Sequence, residues 1–247
     1  MPRRARVVFE GVVHHITQRG NYRQNVFEDD SDKSKYIEFI REYSEKYGMK
    51  IYAYCLMSNH VHFIAAPVKE DSLAMTFKYS NMRYSSYFNR KNKRSGHLWQ
   101  GRFYSCPLQF EHALEALRYV ERNPVRARMV ELPWEYEWSS AREHVGFNGE
   151  IDTSTKDEGN DLSSPSSVTS YRSIPLCSLK DLDLNWNVEG WREFLGFPDE
   201  DDFLNRIRGN TFSGKPLFAK ELVAGLEKEL GVSLSSKPRG RPRKEQL

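Results

Sequence analysis

Cysteine is scarce in this chain. Its three cysteines in 247 residues, Cys55, Cys106 and Cys177, lie far apart with no CxxC pair. That excludes a disulfide framework and a cysteine-knuckle zinc site, and it points to a reducing cytoplasm. Long apolar runs are missing too, since none approaches the roughly 20 residues that span a bilayer, so no membrane partner is expected. The basic start Met1-Pro2-Arg3-Arg4-Ala5-Arg6 is not followed by the apolar core of a signal peptide. No segment repeats itself. Neither sign of charge prevails strongly, the formal net charge being +3.

Hydrophobic residues (38%) and aromatics (13%) suffice for a core, while 29% of residues are charged. The length allows one ordinary domain plus a smaller appendage. Residues 1–147 are rich in periodic elements. Residues 148–170 turn Ser/Thr/Asp/Gly-rich around Ser163-Ser164-Pro165-Ser166-Ser167, the composition of a flexible linker, and limited proteolysis is expected to cut there first. Residues 171–234 regain aromatics and leucines and read as a small, mostly helical accessory module. In it Phe218, Leu222, Leu226 and Leu230 recur every four positions, one face of a short helix. Residues 235–247 form a basic, Pro/Gly-punctuated tail.

Within the first zone strands and helices alternate. Gly11 to Gln18 reads as a strand. Ser31 is the expected N-cap of a helix with the stripe Tyr36, Ile40, Tyr43, Tyr47, ended by Gly48. Lys50–Met57 and His60–Ala66 form a hairpin across Ser58-Asn59. Ser72 caps a second helix carrying Leu73, Phe77, Tyr84 and Phe88. A short strand over Tyr104–Leu108 precedes a third helix from about Glu111 that stops or bends at Asn123-Pro124. The order βαββαβα predicts an α+β fold, a ferredoxin-like antiparallel sheet with helices packed on it.

The modest net charge hides an uneven distribution. Between Arg83 and Arg128 there are ten Lys/Arg and three Asp/Glu, interleaved with Tyr84, Tyr87, Phe88, Trp99, Phe103 and Tyr104. Cations that track phosphates beside rings that stack on bases suit a nucleic-acid groove; a solvated face over an aromatic core has the same composition.

Two clusters carry candidate chemistry. In Ser58-Asn59-His60-Val61-His62-Phe63, alternate strand residues share a face, so His60 and His62 point the same way and Val61, Phe63 and Ala65 point into a core. Such a pair offers two positions to a metal; two polar surface histidines would look the same. In the third helix the apolar stripe is Ala113, Leu114, Leu117 and Val120. Tyr119 falls off it, with Asn123 one turn further on the same face. The phenol of Tyr119 can serve as a nucleophile on a phosphate. The amide oxygen of Asn123 can join His60 and His62 as a third ligand, a mixed N/O set that suits Mg²⁺ or Mn²⁺. An exposed helical tyrosine and an Asn-Pro helix terminator are the plain alternatives.

The chain resembles the REP-associated tyrosine transposases, single-tyrosine members of the HUH nuclease superfamily. The resemblance rests on His15-Ile16-Thr17-Gln18-Arg19-Gly20-Asn21, Met57-Ser58-Asn59-His60-Val61-His62, Gly96-His97-Leu98-Trp99-Gln100-Gly101-Arg102-Phe103 and Tyr119-Val120-Glu121-Arg122-Asn123-Pro124, in order over about Val12 to Arg128. It implies a ferredoxin-like domain that nicks and rejoins single-stranded DNA near palindromic hairpins. It further implies His60 and His62 as the metal pair and Tyr119 as the nucleophile of a 5′-phosphotyrosine intermediate. Asn123 stands where relatives often place glutamine. A cytoplasmic, nucleoid-associated monomer or homodimer is expected.

Arg19, Asn21 and Arg23 after the first strand are assigned to DNA, a solvated turn being the alternative. Trp99, Gln100 and Arg102 are assigned to base stacking and phosphate contact, although a tryptophan there also suits a core. His14 and His15 fall on opposite strand faces, so at most one faces the site, and His97 is expected to be structural. The cluster Glu28, Asp29, Asp30 and Asp32 reads as a solvated helix start. Pro238-Arg239-Gly240-Arg241-Pro242 resembles an AT-hook, placing Arg239 and Arg241 against A·T-rich duplex. A catalytically idle DNA-binding regulator and an RNA-binding ferredoxin-like module are the competing functions; neither needs a complete His-His-Tyr set.

Overall fold

The computed structural model describes residues 6–146, 173–182, 184, 186–231 and 234. The expected linker at 148–170 and the tail with Arg239 and Arg241 lie outside the described residues. The first part runs β1 (His14–Arg19), α1 (Asp30–Tyr47), β2 (Met49–Met57), β3 (His60–Pro67), α2 (Ser72–Lys91), β4 (Tyr104–Pro107) and α3 (Phe110–Glu121). Spatial strand order is β2-β3-β1-β4 with every neighbouring pair antiparallel. This is the ferredoxin-like split βαβ arrangement.

The start of α1 corrects the expected cap. Asp29, not Ser31, caps the helix, because its Oδ1 accepts both the Asp32 amide at 3.1 Å and the Ser31 hydroxyl at 2.6 Å. One carboxylate oxygen thus satisfies an orphan donor of the first turn, and the helix begins two residues earlier than a serine cap would start it. Nor is the whole acidic cluster solvated. Asp32 is buried, accepts the Glu28 amide at 2.8 Å and pairs with Lys91 at 2.7 Å, tying the start of α1 to the end of α2. Gly48 closes the helix at φ 68°, where a Cβ would meet Val68 Cβ at 3.1 Å. The second cap also shifts: Ser72 is the first helical residue, and its hydroxyl accepts the Lys69 amide at 2.9 Å.

Strand alternation gives the sheet two faces. Val61, Phe63 and Ala65 face α1 and α2, with the Phe63 ring 5.4 Å from Phe77 of α2; each such fully buried large apolar side chain is worth about 2 kcal/mol. The opposite face carries Thr17 and Arg19 of β1 directly across from His62 and His60 of β3. It is covered by α3 and by α7 (Asp201–Ser213), which with α6 (Val188–Gly196) and α8 (Lys220–Leu230) makes up the C-terminal segment after the short turns α4 (Asn123–Arg126) and α5 (Ala141–His144). The expected helical module is therefore present, but it is fused to the sheet domain. Trp191 Nε1 donates to Glu121 Oε2 at 2.9 Å, and Arg122 meets Asp199 at 3.2 Å. The Leu217 amide donates to Pro107 at 2.8 Å and the Cys177 amide to Ile51 at 2.7 Å, so both edge strands acquire partners. No helix among the described residues is long and apolar enough to cross a membrane.

Candidate active site

His60 and His62 project from one strand as their parity requires, with ring centroids 4.9 Å apart at 79°. The turn and β1 occupy one nitrogen of each. His60 Nδ1 lies 2.6 Å from Asn59 Oδ1, and His62 Nδ1 lies 2.9 Å from His15 Nε2. The Nε2 atoms of both rings are thereby left for another ligand. Imidazoles pinned on the far nitrogen are the usual state of metal-binding histidines. Of the two neighbouring histidines in β1, His15 is the one on this face, its ring stacked 5.1 Å from His62. His14 turns away and contacts the Val12 carbonyl at 2.7 Å.

Tyr119 arrives from α3. Its ring stands edge-on to His15 at 5.3 Å and to His62 at 5.7 Å. The residue lies off the apolar stripe, as its position dictates, yet is only 5% exposed. Two guanidinium groups account for this, Arg126 at 4.3 Å and Arg208 of α7 at 6.0 Å from the ring centroid. Asn123 is buried one turn on, its Nδ2 donating to the Tyr119 and Val120 carbonyls at 3.1 and 3.0 Å. Its amide nitrogen serves the end of α3, and Oδ1 keeps its acceptor capacity. Among the described residues no three His, Cys, Asp or Glu side chains converge as a metal site, so a cation here depends on the His60–His62 pair with oxygen donors of another type.

Burial sets the electrostatics. Desolvation pushes His60 down to about 4, with Arg19 adding to it, and His15 down to about 3, with Arg126 adding to it. His62 is held well below the ordinary imidazole value by burial first, then by His60 and His15. The three rings are therefore neutral at physiological pH, the state in which imidazole donates a lone pair.

Of the expected DNA-contacting residues, Arg19 lies on the histidine face, whereas Asn21, Trp99, Gln100 and Arg102 line a cavity shared with Gln18 and with Phe77 and Asn81 of α2, on the other side of the sheet. Arg19 sits beside His60, its carbonyl accepting the Gln100 amide at 2.9 Å. The Asn21 amide donates to Leu98 at 2.8 Å. Arg23 is exposed, in a turn where Tyr22 and Arg23 hold φ of 51° and 60°, and Tyr22 is 94% exposed. That cavity, of about 720 Å³, is also lined by Arg6 and Lys78. Trp99 forms part of its wall while packing in the core, 5.8 Å from Tyr36 and 6.1 Å from Tyr84. His97, expected to be structural, has an exposed side chain, and its carbonyl accepts from Gln24 at 3.4 Å. The loop 96–101 is anchored by its backbone and by the buried Leu98 and Trp99, which leaves His97 at the rim of the cavity. Arg126, Arg208 and Thr211 were not singled out by the sequence; Arg208 and Thr211 reach the site only through the docking of α7.

Residues 8–123 match the family model described as "Transposase IS200 like". Among solved structures, a REP-associated tyrosine transposase bound to a REP hairpin is 17% identical, with a TM-score of 0.48 over 66% of this chain and 96% of that one. A transposase crystal structure from Deinococcus radiodurans R1 is 19% identical, with a TM-score of 0.34 over 49% of this chain and 97% of that one. None of the curated proteins compared with the chain is significantly similar to it. The family match begins before β1, includes the His60–His62 strand and ends on Asn123, four residues after Tyr119, so the stretch that is similar to IS200-like transposases holds all three of these side chains.

Proposed function

We propose that this domain nicks and rejoins single-stranded DNA at palindromic hairpins, with Tyr119 as nucleophile. The observation that carries the reading is the meeting of Tyr119 with His62 at 5.7 Å and of His62 with His60 at 4.9 Å, three side chains from two separate elements. The Tyr119 oxygen attacks a backbone phosphorus and the bond to the 3′ oxygen breaks. The phenol proton leaves to solvent or base, and the departing 3′ oxygen takes up a proton. The products are a 5′-phosphotyrosine and a free 3′-OH. Rejoining reverses the step with another 3′-OH, and the phosphodiester energy is conserved in the covalent bond.

A phenol is a weak nucleophile until its proton is lost, so the site must favour its anion or the charge that develops on phosphate. His60 and His62 through their Nε2 atoms, with Asn123 Oδ1, would hold Mg²⁺ or Mn²⁺. Bound there, such an ion acts as Lewis acid on the phosphate oxygens. Arg126 and Arg208 both cover the Tyr119 ring; Arg208 is exposed and free to swing onto an incoming phosphate, uncovering the phenol as it does so. Arg19, Asn21, Arg23, Trp99, Gln100 and Arg102 would guide the strand, and Arg239 and Arg241 would add affinity for A·T-rich duplex.

The test is an adduct assay. Labelled single-stranded DNAs carrying REP-like hairpins are incubated with the full chain and Mn²⁺ or Mg²⁺, beside Tyr119→Phe and His62→Ala. A denaturation-resistant protein–DNA band, absent from both variants and with chelator, is the expected result. Retention of the band in Tyr119→Phe would place the nucleophile elsewhere. Tight hairpin binding without a band under either metal would favour a DNA-binding regulator.

A further inference from the structure

The buried chain from Thr211 to His62 admits two proton arrangements, and only one leaves His62 able to bind a cation. Thr211 Oγ1 lies 2.7 Å from His15 Nδ1, and His15 Nε2 lies 2.9 Å from His62 Nδ1. All three residues are buried, so water does not compete for these bonds. A metal-binding imidazole is neutral, with one N–H and one lone pair. If His15 holds its hydrogen on Nε2, it donates to His62 Nδ1, and the His62 hydrogen must sit on Nε2, the nitrogen needed for a metal. If His15 holds it on Nδ1, it donates to Thr211, its Nε2 accepts from His62 Nδ1–H, and His62 Nε2 presents a lone pair.

The second arrangement requires the Thr211 oxygen to accept. Its own hydrogen then needs another acceptor, and Cys106 supplies one. Cys106 pairs with His15 in the β1–β4 register, which sets its thiol in the neighbourhood of Thr211. The thiol in turn donates to the Pro107 carbonyl, with Sγ 3.4 Å from the oxygen. With the Thr211 hydrogen turned towards that thiol, each donor along Cys106–Thr211–His15–His62 has an acceptor, and the series ends in a free Nε2.

We propose that Thr211 is a positioning residue which, through His15, fixes the tautomer in which His62 Nε2 can bind a divalent cation. The proposal rests on the reading of His60 and His62 as a metal pair. It makes α7, which lies beyond the transposase match at 8–123, a working part of the site. The reason is specific to hydrogen-bond polarity. A residue that merely fills space at position 211 would leave the His15 Nδ1 hydrogen buried without an acceptor, and the desolvation penalty of that orphaned donor drives the proton to Nε2.

The experiment uses the full chain in two arms. Without metal, ¹⁵N NMR of the histidine side chains reads the tautomers directly. With Mn²⁺ alone, calorimetry or EPR reads affinity. The expected wild-type result is a His62 proton on Nδ1. Thr211→Val should move it to Nε2 and weaken Mn²⁺ binding about 10- to 100-fold, while Thr211→Ser restores both; Thr211→Ala makes the same comparison should valine disturb packing. A wild-type His62 proton on Nε2, or an unchanged tautomer and affinity in Thr211→Val, would overturn the proposal. Absence of Mn²⁺ binding by the wild type would instead sink the metal reading, and the metal-free arm would still decide the relay.

Discussion

Arg126 is tied to Asp199, Nη1 to Oδ2 at 2.9 Å, while its guanidinium lies 4.3 Å from the centre of the Tyr119 ring. The same carboxylate oxygen meets Arg122 at 3.2 Å. One acidic residue between α6 and α7 thus pairs with both arginines that flank the Asn123-Pro124 break. All three side chains are largely buried. Removing the anion leaves two cations with little water, so Asp199→Ala should lower stability by about 3 kcal/mol, well above the effect of an exposed ion pair. Urea unfolding measures this, and a change within about 0.5 kcal/mol would show the pairing to be incidental.

Gly20 stands at the end of β1 with no room for a side chain. A Cβ would fall 2.3 Å from the Gln24 carbonyl oxygen and 2.9 Å from Val26 Cγ1. Its amide donates to Asn59 at 2.8 Å, joining this turn to the one that precedes His60. Gly20→Ala should therefore cost about 1–3 kcal/mol and loosen the turn carrying Asn21 and Arg23. Gly209 in the middle of α7 is the opposite case: a methyl group added there would meet nothing within 4 Å, and its φ is not positive. Gly209→Ala should stabilise by about 0.5–1 kcal/mol. Thermal unfolding of the two variants should give shifts of opposite sign.

The sheet was legible because its signals are local. Strand parity alone placed His60 and His62 together and Val61 and Phe63 opposite, and Gly48 marked a helix end that φ 68° requires. Asn123-Pro124 marked the end of α3 for the same kind of reason, since α3 stops at Glu121 and a short separate turn follows. The cap at Asp29 was missed because a hydroxyl and a carboxylate two residues apart both suit the position, and the choice depends on where the carboxylate oxygen can reach. The share of the site that escaped is long-range. His15 contacts Thr211 across 196 positions of sequence, and Arg208 covers Tyr119 only because α7 docks on the sheet. Periodicity shows that a helix has an apolar side but does not say which surface that side will meet. Tyr119 is buried by Arg126 of the following turn together with Arg208 of the docked α7, so its position off the α3 stripe did not mean exposure.

The three cysteines should differ in reactivity. Burial pushes the Cys106 thiol up to about 12 and raises Cys55 further still, and both side chains are inaccessible. Cys177 is partly exposed, though burial raises its thiol as well. Because the thiolate is the reactive form, a colourimetric disulfide reagent should modify about one thiol in the native protein, at Cys177, and release the other two only on unfolding. Cys177→Ser should abolish the native-state reaction. Rapid labelling of two or more thiols in the folded chain would contradict the packing of β2 and β4.

Glu121 ends α3 with a fully buried carboxylate that accepts from Ser140 Oγ at 2.6 Å, contacts His144 Nδ1 at 2.6 Å and accepts from Trp191 Nε1 at 2.9 Å. Burial disfavours the charged form of His144, but the Glu121 charge and hydrogen bond outweigh it and hold His144 above the ordinary imidazole value of 6.5. The sign of the linkage follows. A histidine whose folded pKa is raised binds its proton more tightly in the folded state. The stability it contributes is complete below about 6.5 and is lost as pH rises through the folded pKa. Urea unfolding between pH 6 and pH 9 should show this decline for the wild type, and His144→Gln should flatten it. Glu121→Gln should abolish this decline as well, because burial then acts on His144 without the Glu121 charge to oppose it, and also lower stability throughout, because a neutral amide offers Trp191 and Ser140 a weaker acceptor. An unchanged slope in His144→Gln would place the titrating group elsewhere and leave His144 a neutral donor to Glu121.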